Sequence, residues 1–252
     1  MNRPESTCAP DWWESPQAIR DKSGRVRRMF NSLAPRYELV NTLFSAGRDA
    51  YWRRRAVELA RVAPDDDVLD VACGTGDFAR AFARPHPRSV IGCDFAHDML
   101  KLALARGETP GDSTVPIRWC EGDAQNLPFE SARFSIVSCA FGVRNLADLD
   151  RGLREMLRVL RTGGRAVILE FTRPRNGMAR AVYEVYSSRI MPVLASWVSR
   201  DRTGAYRYLP RSVVSFLNAE QMIDRLTEVG FSDVTSTPLT MGVVTVYVAR
   251  RP

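Results

Sequence analysis

Between Asp67 and Phe171 short apolar runs alternate with amphipathic ones, and this alternation limits the fold more than any other feature. Residues 67–72, 89–94, 117–121, 134–140 and 165–171 read as strands, with few polar interruptions. Residues 76–83, 98–106 and 149–160 carry apolar positions at three- and four-residue steps and read as helices. The last of these is expected to stop at Thr162-Gly163-Gly164, a C-cap signal. Near-continuous apolar strands alternating with helices imply a mainly parallel sheet covered on both faces.

Beyond Pro174 the pattern predicts a helical stretch over 178–198 and a polar segment holding Tyr206 and Tyr208. A helix over 219–229, ended by Gly230, and two strands, 232–238 and 243–249, complete the chain. The two strands close as an antiparallel hairpin. The expected fold class is therefore α/β, Rossmann-like, with seven strands, a C-terminal antiparallel hairpin and added N-terminal helices.

Upstream, Met29, Phe30, Leu33, Tyr37, Val40, Leu43 and Phe44 recur at helical steps, with Pro35 dividing the run into two helices. A further helix is expected over 49–61. Residues 1–25 read as a loose arm that turns helical near Gln17. Residues 26–252 then form one domain, with cap helices over 26–63 and an insertion over 175–210.

Composition excludes several classes. With 45% hydrophobic and 26% charged residues, the chain is an ordinary globular one. No apolar run approaches the roughly 20 residues that span a bilayer. The first 13 residues hold no apolar stretch of secretory type, so a cytoplasmic protein is expected. The five cysteines form no Cys-x-x-Cys pair and read as buried free thiols. His86 and His97 stand in unrelated contexts, which excludes a His-centred triad or a multi-His metal site, and no metal is expected. The net charge of +7 favours anionic partners, nucleic acid or lipid headgroups, and says nothing of fold.

Three strand ends carry candidate binding residues. After the first strand comes Asp70-Val71-Ala72-Cys73-Gly74-Thr75-Gly76-Asp77. A glycine turn between strand and helix lets backbone N–H groups approach a ligand, although a tight turn needs the same glycines. Asp94 ends the second strand, where a carboxylate accepts both ribose hydroxyls of a nucleoside. Gly122-Asp123-Ala124 follows the third, where a carboxylate and a backbone N–H suit the exocyclic amine and a ring nitrogen of adenine. In open α/β sheets such strand ends share one crevice.

The chain resembles the UbiE/MenG family of quinone-biosynthesis C-methyltransferases. The resemblance rests on Met29-Phe30-Asn31-Ser32-Leu33-Ala34-Pro35-Arg36-Tyr37 with Asn41, Trp52-Arg53, and Cys73-Gly74-Thr75-Gly76-Asp77. It continues through Gly122-Asp123-Ala124-Gln125-Asn126-Leu127-Pro128-Phe129, Phe141-Gly142-Val143-Arg144-Asn145, Leu169-Glu170-Phe171 and Tyr206-Arg207-Tyr208-Leu209. The Phe-Gly-x-Arg-Asn and Tyr-Arg-Tyr-Leu elements are more specific than the glycine loop. Three departures are Cys73, where Gly or Ala is commoner, Ala140, where many members have Ser, and a C-terminus without the usual His.

The resemblance implies a class I methyltransferase fold, S-adenosylmethionine as cofactor, and methylation of a ring carbon on a polyprenylated quinol. Demethylmenaquinol is the first candidate acceptor and a polyprenyl benzoquinol the alternative. Asp70, Gly74, Thr75, Gly76, Asp94, Asp123, Ala124 and Ala140 would hold the cofactor. Arg144, Asn145, Asp123 and Tyr37 would form the catalytic group, and Asn41, Phe141 and Tyr206 would contact the acceptor. Arg144 would serve as a fixed cation beside a forming phenolate, or else as a salt bridge pinning the loop. Tyr37 would orient the acceptor, or else pack as a core aromatic. The insertion over 175–210 would lie on the substrate side, its apolar face with flanking arginines either touching a membrane or capping the sheet.

Expected partners are thus the quinol and a transient contact with the inner membrane face. A homodimer stays open. Nucleic acid is not expected, because neither Asn-Pro-Pro-aromatic nor Pro-Cys follows the fourth strand. A non-catalytic cofactor-binding protein and a small-molecule O- or N-methyltransferase are the remaining alternatives.

Overall fold

The computed structural model describes residues 22–33, 45, 47–107, 115–174, 177, 208, 212–213 and 215–252. The expectations for Tyr37, Asn41, Tyr206, Cys8, the break at Pro35, the stretch over 178–198 and most of the N-terminal arm fall outside them.

Seven strands form one sheet in the order β3-β2-β1-β4-β5-β7-β6. They are β1 (Asp67–Val71), β2 (Ser89–Asp94), β3 (Ile117–Glu121), β4 (Phe134–Ala140), β5 (Leu160–Phe171), β6 (Ser232–Leu239) and β7 (Val244–Arg250). The first five are parallel, and β7 runs antiparallel to both β5 and β6. The order reverses between β1 and β4, where the chain leaves for opposite faces and a crevice opens.

The described α-helices are α1 (Lys22–Leu33), α2 (Asp49–Ala60), α3 (Asp77–Ala83), α4 (His97–Ala105), α5 (Leu149–Val159) and α6 (Ala219–Val229). Two buried clusters flank the sheet. Trp52, Ala56 and Ala60 of α2 and Phe78 and Phe82 of α3 pack on one face against Val68, Val90, Ile136 and Val167. Leu153 and Met156 of α5 and Met222 and Leu226 of α6 cover the other, against Leu69, Val137, Ile168 and Tyr247. Both faces of β1, β2 and β4 are buried, which is why these strands lack alternation. Each fully buried Leu, Ile or Phe contributes about 1.5–3 kcal/mol.

Helix starts follow side-chain caps where the sequence offers them. Asp148 accepts from Arg151 N at the start of α5, and Asn218 and Gln221 form a capping box at α6. Gly230, at φ +114°, ends α6 as expected.

One expectation needs correction. The helix over 149–160 ends at Val159, close to where it was expected, but Thr162-Gly163-Gly164 does not cap it: β5 starts at Leu160 rather than Arg165, and Leu160 already pairs with Phe134. Gly163, at φ +74°, instead bends the strand, donating to Arg251 O at 2.9 Å while Arg251 N donates to Gly164 O at 2.8 Å. A left-handed glycine suits a strand bend as well as a helix end, so local sequence could not separate the two. Lys22 to Arg25, at the end of the N-terminal arm, are helical and belong to α1.

Candidate functional site

The turn after β1 needs three left-handed positions in five residues: Ala72 at φ +53°, Gly74 at +56° and Gly76 at +86°. It is tied to β2 by Cys73 N donating to Cys93 O at 3.1 Å. A Cβ at Gly76 would lie 2.2 Å from the Trp119 ring. That glycine is therefore required by packing as well as by conformation. Arg106 Nη1 donates to Thr75 Oγ1 at 3.2 Å and fastens the far side of the turn. Beneath it, Ser138 Oγ donates to Asp70 Oδ1 at 2.8 Å, while the buried Asp70 Oδ2 has no hydrogen-bond partner among the described residues. Burial pushes the Asp70 carboxyl up to about 7.

Asp94 closes β2 beside this turn. Its Oδ2 accepts from Gly74 N and its Oδ1 from Ala96 N, each at 2.8 Å. One backbone donor per oxygen leaves further lone pairs for a ligand. Burial raises this carboxyl to about 6, and the backbone donors oppose the rise. After β3, Asp123 Oδ1 accepts from Gln125 N at 2.9 Å and Gln125 Nε2 at 3.3 Å. Gln125 Oε1 then accepts from Asp148 N at 2.8 Å, which locks this loop to the start of α5.

The fourth strand end is strained. Phe141 sits at φ +56°, an unfavourable region for a bulky residue. Its carbonyl accepts from Arg144 Nη1 at 2.6 Å and Asn145 Nδ2 at 3.1 Å, and its N–H donates to Leu169 O at 2.7 Å. Arg144 Nη1 also lies 2.7 Å from Glu170 Oε1, and its guanidinium stands over the Phe171 ring. Burial pushes the Glu170 carboxyl up, against the pull of Arg144. Phe141 packs on Phe171, with ring centroids 4.6 Å apart.

These strand ends and α1 border one recess that opens to solvent. Of the residues singled out in the sequence, Gly74, Asp94, Asp123, Ala124, Ala140, Phe141 and Asn145 line it. Asp70, Thr75, Gly76 and Arg144 are not among its lining residues: the first three support the turn, and Arg144 is turned to Glu170.

Sequence reading missed Ser23, Phe30, Phe95, Met99, Gln125 and Leu146, which also border the recess. Phe30 stood out only as one of the apolar residues at helical steps upstream of the sheet. The aromatic placed directly after Asp94 was the available signal for Phe95. Lys22 Nζ donates to Leu146 O at 2.6 Å, so α1 is anchored across the mouth of the recess.

The donor set fits an adenosyl nucleoside: a carboxylate for a vicinal diol at Asp94, a second at Asp123, and an apolar wall of Phe95, Met99 and Phe30. A recess of this kind at the switch point of this sheet defines a class I methyltransferase fold. The chain belongs to the ubiE/COQ5 methyltransferase family, whose model matches residues 18–251.

Two curated relatives extend over nearly the whole chain. The ubiquinone/menaquinone biosynthesis C-methyltransferase UbiE of Geobacter sulfurreducens is 42% identical over 238 residues, covering 92% of this chain and 91% of its own. The demethylmenaquinone methyltransferase of Thermus thermophilus is 44% identical over 225 residues, covering 89% and 100%. Among solved structures, a SAM-dependent methyltransferase from Thermotoga maritima superposes with a TM-score of 0.62 at 16% identity, over 90% of this chain and 100% of that one. The [4+2]-cyclase SpnF superposes at 0.59 with 20% identity, over 79% and 81%. The fold thus hosts more than one chemistry, and its likeness alone assigns none.

Proposed function

We propose that the chain transfers a methyl group from S-adenosylmethionine to a ring carbon of a polyprenylated quinol, with demethylmenaquinol as the acceptor. The observation that carries this reading is the joining of a nucleoside end, Asp94 and Asp123, to an aromatic and amide end, Phe141 and Asn145, in one recess. The names of the relatives supply the acceptor class.

When bound, S-adenosylmethionine supplies an electrophilic methyl group, so the protein's task is positioning and charge control. Asp94 would take the ribose hydroxyls, Asp123 the exocyclic amine and the Ala124 N–H a ring nitrogen. The acceptor ring lies toward Phe141, with one hydroxyl at the Asn145 amide. Loss of that hydroxyl's proton to water makes the adjacent ring carbon nucleophilic, and the Asn145 N–H stabilises the oxygen anion. Once that carbon has taken the methyl group from sulfur, its own hydrogen leaves as a proton and the ring oxygen regains one, which restores the quinol. The charge of Arg144 is already offset by Glu170. In this reading Arg144 acts by holding the Phe141 carbonyl and the loop, while Tyr37, Asn41 and Tyr206 close the acceptor side.

No described helix is long and apolar enough to cross a membrane. A polyprenyl acceptor lives in lipid, so the reading includes a transient contact of the 175–210 insertion with an anionic membrane surface, tested by liposome flotation.

The Geobacter relative's name includes ubiquinone, which favours a benzoquinol as second acceptor. The deciding experiment supplies labelled S-adenosylmethionine with demethylmenaquinol and the benzoquinol side by side. Label entering the naphthoquinol supports the reading, label entering the benzoquinol alone moves the acceptor, and label in neither overturns it.

A further inference from the structure

Asn145 is nearly buried, yet it borders the recess. Both ends of its amide are engaged. Nδ2 donates to Phe141 O at 3.1 Å, and Oδ1 accepts from the hydroxyl of Tyr208 at 3.1 Å. A backbone carbonyl can only accept, so Phe141 O fixes which end of the amide carries hydrogen. Tyr208 is itself buried, 63 residues away in sequence.

We propose that Tyr208 is a positioning residue for methyl transfer: by donating to Asn145 Oδ1 it holds that amide with its second N–H toward the recess. An amide has two N–H bonds and one oxygen with two lone pairs. One N–H is on Phe141 O and one lone pair is on Tyr208, so the second N–H is the amide's remaining donor. That donor favours an acceptor oxygen that becomes an anion. A donor on the amide oxygen also polarises the amide and strengthens the remaining N–H. Burial pushes the Tyr208 phenol up to about 12, with the nearby Arg144 pulling it down and Glu170 pushing it up, so it stays a donor through the neutral range.

The inference rests on the quinol reading above, because it assigns Asn145 to the acceptor's hydroxyl. Its test is the pH profile of single-turnover methylation by wild type, Tyr208→Phe, Asn145→Ala and the double variant, with S-adenosylhomocysteine binding measured alongside. Tyr208→Phe is expected to slow methylation about tenfold. It should also move the acidic limb of the profile to higher pH and leave S-adenosylhomocysteine affinity within twofold. In the Asn145→Ala background it is expected to add nothing further. Rate losses that multiply in the double variant, or an unmoved acidic limb, overturn the proposal while the quinol reading stands. An inactive wild type overturns both. Should Tyr208→Phe not fold, 3-fluorotyrosine at 208 keeps the ring and makes the donor more acidic. The acidic limb must then move to lower pH, and an unmoved limb overturns the proposal.

Discussion

Arg144 and Glu170 form a buried ion pair, Nη1 to Oε1 at 2.7 Å, with 5% and 1% of the two side chains exposed. The same guanidinium nitrogen holds the carbonyl of Phe141, a residue in the left-handed region that borders the recess. Removing one partner leaves the other charge buried and alone, which costs about 3–5 kcal/mol. Arg144→Ala is expected to lose stability in that range and to abolish turnover. It should retain S-adenosylhomocysteine binding, since Asp94 and Asp123 stand on other strand ends. Urea unfolding and calorimetric titration check both halves, and near-normal turnover would count against any role for Arg144.

The buried carboxyls give the free protein an unusual pH dependence. Asp70 is raised from 3.8 to about 7 and Asp94 from 3.8 to about 6, both mainly by burial. Between about pH 4 and 7 the folded state therefore holds protons that the unfolded chain has released. The stability contributed by these two groups is present in full below pH 4 and is lost as pH rises through 6 and 7. Asp70→Asn should raise the melting temperature of the ligand-free protein at pH 8 and leave it nearly unchanged at pH 4.5. Equal shifts at both pH values would show that Asp70 does not titrate in this window.

Ligand binding should show the opposite trend. Ribose hydroxyls donate to Asp94 best when it is ionised, so S-adenosylhomocysteine affinity is expected to rise from pH 5 to pH 7.5. Asp94→Asn should weaken binding at least about tenfold, the loss of a charge-assisted hydrogen bond. Titration calorimetry at three pH values measures both effects.

Gly142 faces the turn after β1. A Cβ there would lie 2.6 Å from Cys139 Sγ and 2.8 Å from Ala72 Cβ. Gly142→Ala must push the turn and the Phe141 segment apart, at a cost of about 1–3 kcal/mol. Ligand affinity should fall with it. Chemical unfolding together with binding tests this, and unchanged affinity would show that the turn can yield.

A distant control separates stability from activity. Asn218→Ala removes the capping box of α6 and is expected to cost about 1 kcal/mol while leaving turnover unchanged.

Much of the fold was legible because the periods were unambiguous. The bounds expected for 89–94, 117–121, 134–140 and 219–229 coincide with β2, β3, β4 and α6. Cys93 and Cys139 are free buried thiols on strands, as expected; Cys73 is buried in the turn, and Cys120 is half-buried. The Gly163 bend was not legible, because φ > 0 at glycine marks a helix end and a strand bend alike.

By itself the sequence determined the strand–helix alternation and the carboxylates at successive strand ends, since local periodicity and turn chemistry encode both. Its motifs also carried the family resemblance. Which of those residues meet was decided only in three dimensions. Asp70 near the end of β1 and Thr75 and Gly76 in the turn stand close to Gly74 in the chain, yet packing against Ser138, Arg106 and Trp119 keeps them from lining the recess. Arg144 and Asn145 are neighbours in the chain, but the buried carboxylate of Glu170 draws one side chain inward and leaves the other at the recess. The hydroxyl of Tyr208 reaches Asn145 from 63 residues away. Contacts of that span depend on how the sheet's layers pack, and no local pattern in the chain records them.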